Sequence, residues 1–405
     1  MSLSSGHSYL AIPGPSAVPD RVLNAMHRAS PNIYAGPLID MVDTLYPDLK
    51  SVARTTGDVA IYMGNGHAAW EASLSNLFSR GDKILVLATG AFGLGWAEAA
   101  QGLGINAEVM DFGKRDTISM ARVHDRLSAD TAREIKAVLA VHVDTATSVR
   151  NDIRGLRACI NASGHPALLM VDCIASLACD RFEMDAWGVD VAIVASQKGL
   201  MMPPGLCFVY FNKKADEVHK YAGLVSPYWN WTPRTRAPEL FRKFCGTAPT
   251  AHLLGLRESL DMIVHEQGMA SVWARHETLA TAVWAALDCW GTTGSIAMNI
   301  ADPAWRSCAV TTVAINPPLG TRLRVWVEEH TGVTLGISLG MALADDPAWH
   351  GFFRIAHMGH VNAHMTLGAL ACIDAGLKAL DIDHGQGAVE AATKAIAAAV
   401  NAANS

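Results

Sequence analysis

Residues 167–205 read ALLMVDCIASLACDRFEMDAWGVDVAIVASQKGLMMPPG, and they decide the fold. Two short runs, Ala167–Asp172 and Val189–Ala195, are rich in Val, Ile, Leu and Ala on both alternating faces, as strands covered by helices on two sides must be. Each run ends in a polar residue that an apolar context does not explain: Asp172 closes the first, and Ser196-Gln197-Lys198 follows the second. Gly199 and Pro203-Pro204-Gly205 then turn the chain.

Working outward, similar runs recur at Val59–Met63, Lys83–Ala88, Ala107–Asp111, Ala137–Val143 and Leu206–Phe211. Between them lie amphipathic stretches, such as Trp70, Leu74, Leu77 and Phe78 on one helix face. Strand–helix alternation of this kind predicts an α/β layer fold around a mainly parallel sheet. After Pro249 the pattern changes to a long helical region, His252 to Trp290, with a break expected near Gly268. Strands at Ala309–Ile315 and Phe352–Ala356 and helices at Thr366–Leu380 and Ala388–Ala403 follow, a smaller α+β part.

Of the 405 residues 50% are apolar and 17% charged, a composition with ample core for two or three domains. The net charge of −6 argues against a nucleic-acid or anionic-membrane surface, and no apolar run is long enough to span a bilayer. Eight cysteines show no C-x-x-C pair, and with no signal peptide ahead of them they read as reduced thiols in a cytoplasm. Met1-Ser2-Leu3 is given no structural weight, and the closing Ala-Asn-Ser carries no address signal.

In an open α/β sheet, ligands bind at the carboxyl ends of the strands. Gly64-Asn65-Gly66-His67-Ala68 follows one strand and opens a helix, where free N–H groups suit a phosphate. Read as G-x-G-x-x-A, it also fits a dinucleotide fingerprint, but Asp82 lies at the wrong end of the next strand for a ribose, and a plain tight turn fits as well. A buried acid such as Asp172 needs a partner: a protonated pyridine nitrogen, a Mg²⁺ ion or a structural ion pair would each serve. Lys198 in an apolar setting has the character of an imine-forming amine, although a solvated loop lysine fits the residue taken alone.

Thr145, in His142-Val143-Asp144-Thr145-Ala146-Thr147, offers a hydroxyl at a third strand end. Phe92, in Gly90-Ala91-Phe92-Gly93, suits stacking on a flat ring or ordinary core packing. Arg354, within the apolar Phe352-Phe353-Arg354-Ile355, calls for an anion that its fork can grip. The nearby His357 and His360 have no acidic or cysteine companion and read as structural histidines; no metal is expected.

These clusters, in this order, resemble the class V aminotransferases of fold type I, in particular the alanine–glyoxylate and serine–glyoxylate group. The likeness runs from Pro13-Gly14-Pro15-Ser16 to Arg354-Ile355-Ala356-His357-Met358-Gly359. It implies a fold type I pyridoxal-phosphate transferase: an N-terminal segment (1–20) over the active site, a large domain (21–265) with a mainly parallel seven-stranded sheet, and a small C-terminal α+β domain (266–405).

The resemblance further implies pyridoxal 5'-phosphate as cofactor, held as a Schiff base by Lys198 with Asp172 on the pyridine nitrogen. Asn65, Gly66, His67 and Gln197 match phosphate positions, Asn65 standing where the family often has Ser. Thr145 lies beside the cofactor, Phe92 stacks on its ring, and Arg354 takes the substrate carboxylate. Thr247 matches a phosphate contact from a neighbouring subunit, which implies a homodimer with shared sites; Phe244 replaces a frequent Tyr and its hydroxyl. The expected activity is transfer of an amino group from a small amino acid (alanine, serine or similar) to the 2-oxo acid glyoxylate or pyruvate. A cysteine desulfurase is the nearest alternative, yet Gly336–Met341 offers no cysteine and Gln197 stands where desulfurases carry His. A nicotinamide dehydrogenase is disfavoured by the placement of Asp82.

Overall fold

The computed structural model describes residues 2–403; Met1, Asn404 and Ser405, and with the last two most of the closing Ala-Asn-Ser, lie outside the described residues. The described residues form twelve strands: β1 (Tyr9–Ala11), β2 (Asp58–Gly64), β3 (Lys83–Ala88), β4 (Asn106–Asp111), β5 (Ile135–Val141), β6 (Leu168–Asp172), β7 (Val191–Ala195), β8 (Gly205–Phe211), β9 (Ala297–Met298), β10 (Val310–Ala314), β11 (Val333–Leu335) and β12 (Phe352–Ala356). Seven of them form one sheet in the order β2-β8-β7-β6-β5-β3-β4. Only β8 runs against its neighbours, pairing antiparallel with both β2 and β7.

Every residue of β6 and β7 is buried, because helices cover both faces of the sheet. The period of two sorts side chains cleanly. Leu169, Val171, Ala192 and Val194 join a core with the helices Pro37–Ala53, Met120–Ala129, Ile153–Ala162 and Thr250–Leu260. Leu168, Met170, Val191 and Ile193 turn the other way, toward the helices Gly66–Leu77 and Ala91–Gly102. Asp172 continues the second series, and that parity aims it at the helix Gly66–Leu77. The outer strand β4 is half exposed, and its Glu108 is gripped by Arg126, which suits an edge that must not pair further.

The expected long helical region is interrupted where anticipated: Thr250–Leu260 passes into a π-helical turn, Asp261–Gln267, and Gly268 at φ 76° separates it from the helix Met269–Trp290. The C-terminal α+β part contains the sheet β12-β10-β9 and a core shared by Met269–Trp290, Leu319–Thr331, Ala363–Ala379 and Ala388–Ala403. β1 joins this part by pairing in parallel with β11. The opening residues, which carry no weight in the sequence, also bond there: Leu3 N–H donates to the His330 carbonyl at 3.0 Å. Among the described residues, no helix is long and apolar enough to cross a membrane, and all eight cysteines are free.

Arg234 is 1% exposed and among the described residues it forms no ion pair; it donates to the carbonyls of Ile61, Tyr228 and Lys243 and lies over the rings of Tyr62 and Tyr228. This ties the segment that carries Phe244 and Thr247 to β2. Arg234→Met strands those carbonyls and should cost about 3 kcal/mol of stability, read as a lower urea midpoint. An unchanged midpoint would show that water replaces the guanidinium.

Candidate active site

The carboxyl ends of β2, β5, β6 and β7 open onto one cavity of about 220 Å³. Eight of the residues singled out in the sequence line it: Asn65, Gly66, His67, Phe92, Thr145, Asp172, Gln197 and Lys198. After β2 the chain turns, and Asn65 Oδ1 accepts from the N–H groups of His67 (3.1 Å) and Ala68 (3.4 Å), capping the helix Gly66–Leu77. A Cβ on Gly66 would lie 2.6 Å from Ile174 Cδ1, so any larger residue here would have to push the tip of the Ile174 side chain aside.

Asp172, 3% exposed, is held on both oxygens. Oδ1 accepts the Ile174 N–H at 2.8 Å and Oδ2 accepts the Trp70 indole N–H at 2.7 Å. Burial pushes its carboxyl up to about 7, with the nearby Asp144 adding to the rise while those two donors and Lys198 oppose it.

Lys198, 9% exposed, follows β7 and donates from Nζ to the Pro13 carbonyl. Burial pulls its ammonium down to about 8; Arg354 lowers it further and Asp172 counters. The N-terminal segment is fastened to it: Ser16 Oγ donates to the Lys198 carbonyl at 2.8 Å, and Ser16 N–H to the Gln197 carbonyl at 2.9 Å. Gly14, at φ +97°, sits so close that a Cβ would fall on the Lys198 side-chain nitrogen.

Two residues stand apart from the cavity lining. Arg354 is 4% exposed and meets carbonyls rather than the anion its sequence context calls for: Nε donates to Ile337 at 2.7 Å and one Nη to Thr145 at 2.8 Å. Its other Nη has no hydrogen-bonding partner among the described residues. Thr247 is exposed on the loop before Thr250–Leu260, while Phe244 points into the core. His357 is satisfied by Thr311 and the Cys308 carbonyl, as a structural histidine is.

Three contributors escape a reading of the sequence. Trp70 reads there only as one apolar position of a helix face, although it lies one turn after His67 and packs on it at 4.5 Å. Asp144 is fully buried and accepts the N–H groups of Phe92 and Ala146, both at 2.9 Å, so one carboxylate joins the start of the helix Ala91–Gly102 to the loop that carries Thr145. Pro13 meets Lys198 from 185 positions away, and although the segment 1–20 is expected over the active site, no local pattern singles out the Pro13 carbonyl.

The residues present fit a pyridoxal 5'-phosphate. A buried carboxylate and a buried lysine face the same space, a capped helix start borders it, and Gln197 Oε1, an acceptor buried on its wall, has no hydrogen-bond donor among the described residues.

A family model described as "Aminotransferase class-V" matches residues 8–318. The chain is 33% identical to a serine–glyoxylate aminotransferase of Arabidopsis thaliana, over 92% of this chain and 91% of that protein. It is 32% identical to an L-aspartate–glyoxylate aminotransferase of Paracoccus denitrificans, over 89% and 88%. In fold it resembles the pyridoxamine–pyruvate aminotransferase of Mesorhizobium loti, with a TM-score of 0.87 over 98% of this chain and 100% of that one at 23% identity.

The depressed basicity of Lys198 is directly measurable. In cofactor-free protein, trinitrophenylation of Lys198 followed by mass spectrometry should rise with a midpoint near 8. Asp172→Asn removes a charge that supports the ammonium, so the midpoint should move down; a midpoint in the ordinary lysine range would mean that the amine is hydrated.

Proposed function

The chain belongs to the class V aminotransferases, and on that premise we propose that it moves the amino group of a small amino acid to glyoxylate or pyruvate with pyridoxal 5'-phosphate held at Lys198. Family membership makes it a pyridoxal-phosphate-dependent enzyme with amino acid and 2-oxo acid substrates. The observation that carries the finer reading is the pair Lys198 and Asp172, which end neighbouring strands and face one cavity. Glyoxylate is favoured as acceptor because the serine- and aspartate-named relatives share it while differing in donor.

When bound, pyridoxal phosphate supplies an electron sink that acidifies the α C–H of an amino acid. Asp172 would face the pyridine nitrogen, and its charge would favour the protonated ring. Asn65, Gly66, His67 and Gln197 would surround the phosphate at the helix start, where the helix dipole favours an anion. Phe92 would lie against the ring and Thr145 beside it. Thr247 would reach the phosphate of a neighbouring subunit, making the active form a homodimer with shared sites.

Lys198 does the proton work. With its ammonium near 8, a useful fraction is free amine at neutral pH, able to take a proton from the substrate α-carbon. Pro13 and Gly14 lie against that amine and cover its side of the cavity. Arg354, already oriented by two carbonyls, would meet the substrate carboxylate with its remaining N–H groups and fix which α bond faces Lys198.

Glyoxylate offered with a panel of amino donors should yield the matching 2-oxo acid, and Lys198→Ala should abolish this while the protein stays folded. Ordinary turnover by that variant would remove Lys198 from the reaction.

Arg354→Lys keeps the charge and loses the fork. It should raise KM for donor and acceptor and lower kcat/KM by about 1.5–3 kcal/mol, with cofactor affinity unchanged. Amines that lack a carboxylate should lose little more; equal losses for both would show that Arg354 only supports the loops of Ile337 and Thr145.

A further inference from the structure

Each oxygen of Asp172 has one fixed donor, and the two donors differ in kind. The Ile174 N–H is a backbone group that any sequence would supply. The other is the indole N–H of Trp70, a side chain from the helix Gly66–Leu77. Trp70 is 1% exposed and its ring cannot swing: Trp96 stacks on it at 6.4 Å, Phe92 meets it edge-on at 6.3 Å and His67 packs at 4.5 Å. The direction of its N–H, and with it the plane of the Asp172 carboxylate, is therefore set by the helix and three rings. An indole N–H donates and never accepts, so a carboxylate is a better partner for it than a carboxylic acid.

We propose that Trp70 is a positioning residue for this enzyme: its N–H holds the Asp172 carboxylate ionised and in one plane, and so governs how strongly the site binds the pyridine nitrogen of its cofactor. The proposal rests on the reading that Asp172 faces that nitrogen. It gives one residue a link to both ends of the site, since the ring that aims at Asp172 also packs on His67 at the phosphate end. The other charged groups near Asp172 are Asp144, after β5, which raises its pKa, and Lys198, after β7, which lowers it. His67 lies on the same helix as Trp70. Replacing Trp70 leaves all three in place.

The test uses two replacements in the full-length protein. One is Trp70→β-(3-benzothienyl)alanine, which keeps the shape of the ring and puts sulfur where the N–H was; the other is Trp70→Phe. Affinity for pyridoxal phosphate is measured by equilibrium dialysis between about pH 6 and 9, in the wild-type and Asp172→Asn backgrounds. In the wild-type background both replacements should weaken binding by roughly tenfold or more, the effect of one charge-assisted hydrogen bond. The acid-side fall in affinity should move to higher pH, because losing a donor to the charged form raises the carboxyl pKa. In the Asp172→Asn background the same replacements should change affinity less than about twofold, since the partner is gone. An isosteric variant with unchanged affinity and pH profile would overturn the proposal, as would equal losses in both backgrounds, which mark Trp70 as packing alone. If Asp172→Asn by itself leaves affinity and its pH profile unchanged, the assignment of Asp172 falls, and the role of Trp70 falls with it.

Discussion

Two ionisable groups of opposite sign, Asp172 and Lys198, are withdrawn from water at the ends of adjacent strands, and much of the molecule is arranged to make that tolerable. Burial works against both charges: it raises the acid and lowers the base until both titrate near neutrality. Neither group is neutralised by direct contact with the other. Asp172 rests on two N–H donors and Lys198 on a carbonyl, so each charge is stabilised by dipoles and each keeps one side toward the cavity. Perturbed pairs of this kind mark sites where proton transfer is the task.

Placement of the pair depends on the parity of the sheet. Because β6 alternates strictly, Asp172 must face the helix Gly66–Leu77, and because that helix starts hard against Ile174, its N-terminus and Trp70 arrive together. A one-residue slip of β6 would turn Asp172 toward the opposite core and leave Trp70 with nothing to bond. The uniform apolarity of β6 and β7 thus fixes chemistry as well as stability.

The sheet, its two helical layers and the break at Gly268 were legible because long apolar runs have a period that local sequence reveals. The polar ends at Asp172, Lys198 and Asn65–His67 were legible because a charge or amide inside such a pattern is conspicuous. Trp70 was not, since an indole on a helix face looks like core until its N–H is seen to have a target. Asp144 lies inside a legible cluster, yet its carboxylate serves the backbone at the start of the helix Ala91–Gly102, 52 positions earlier, and no spacing rule reports that. The carbonyls that Arg354 meets belong to loops placed by tertiary packing, so sequence context pointed to an anion where the fold supplies dipoles first. β1 and β11 have three residues each, too few for alternation to stand out from chance.

The N-terminal segment has a mechanical consequence. Through β1 it is part of the C-terminal α+β region, and a few residues later, at Ser16, it is bonded to the turn that carries Lys198. A chain extends by at most roughly 3.3–3.6 Å per residue, so the stretch from Ala11 to Ser16, even with its turn at Ile12–Gly14 pulled straight, limits how far its two anchors can part. It works as a short connecting rod. Any rotation of the C-terminal region against the large sheet beyond that limit must either pull on the Lys198 turn or break the Ser16 contacts, so the posture of one half of the protein is transmitted to the reacting amine by a strap that Ala11 anchors in the C-terminal core.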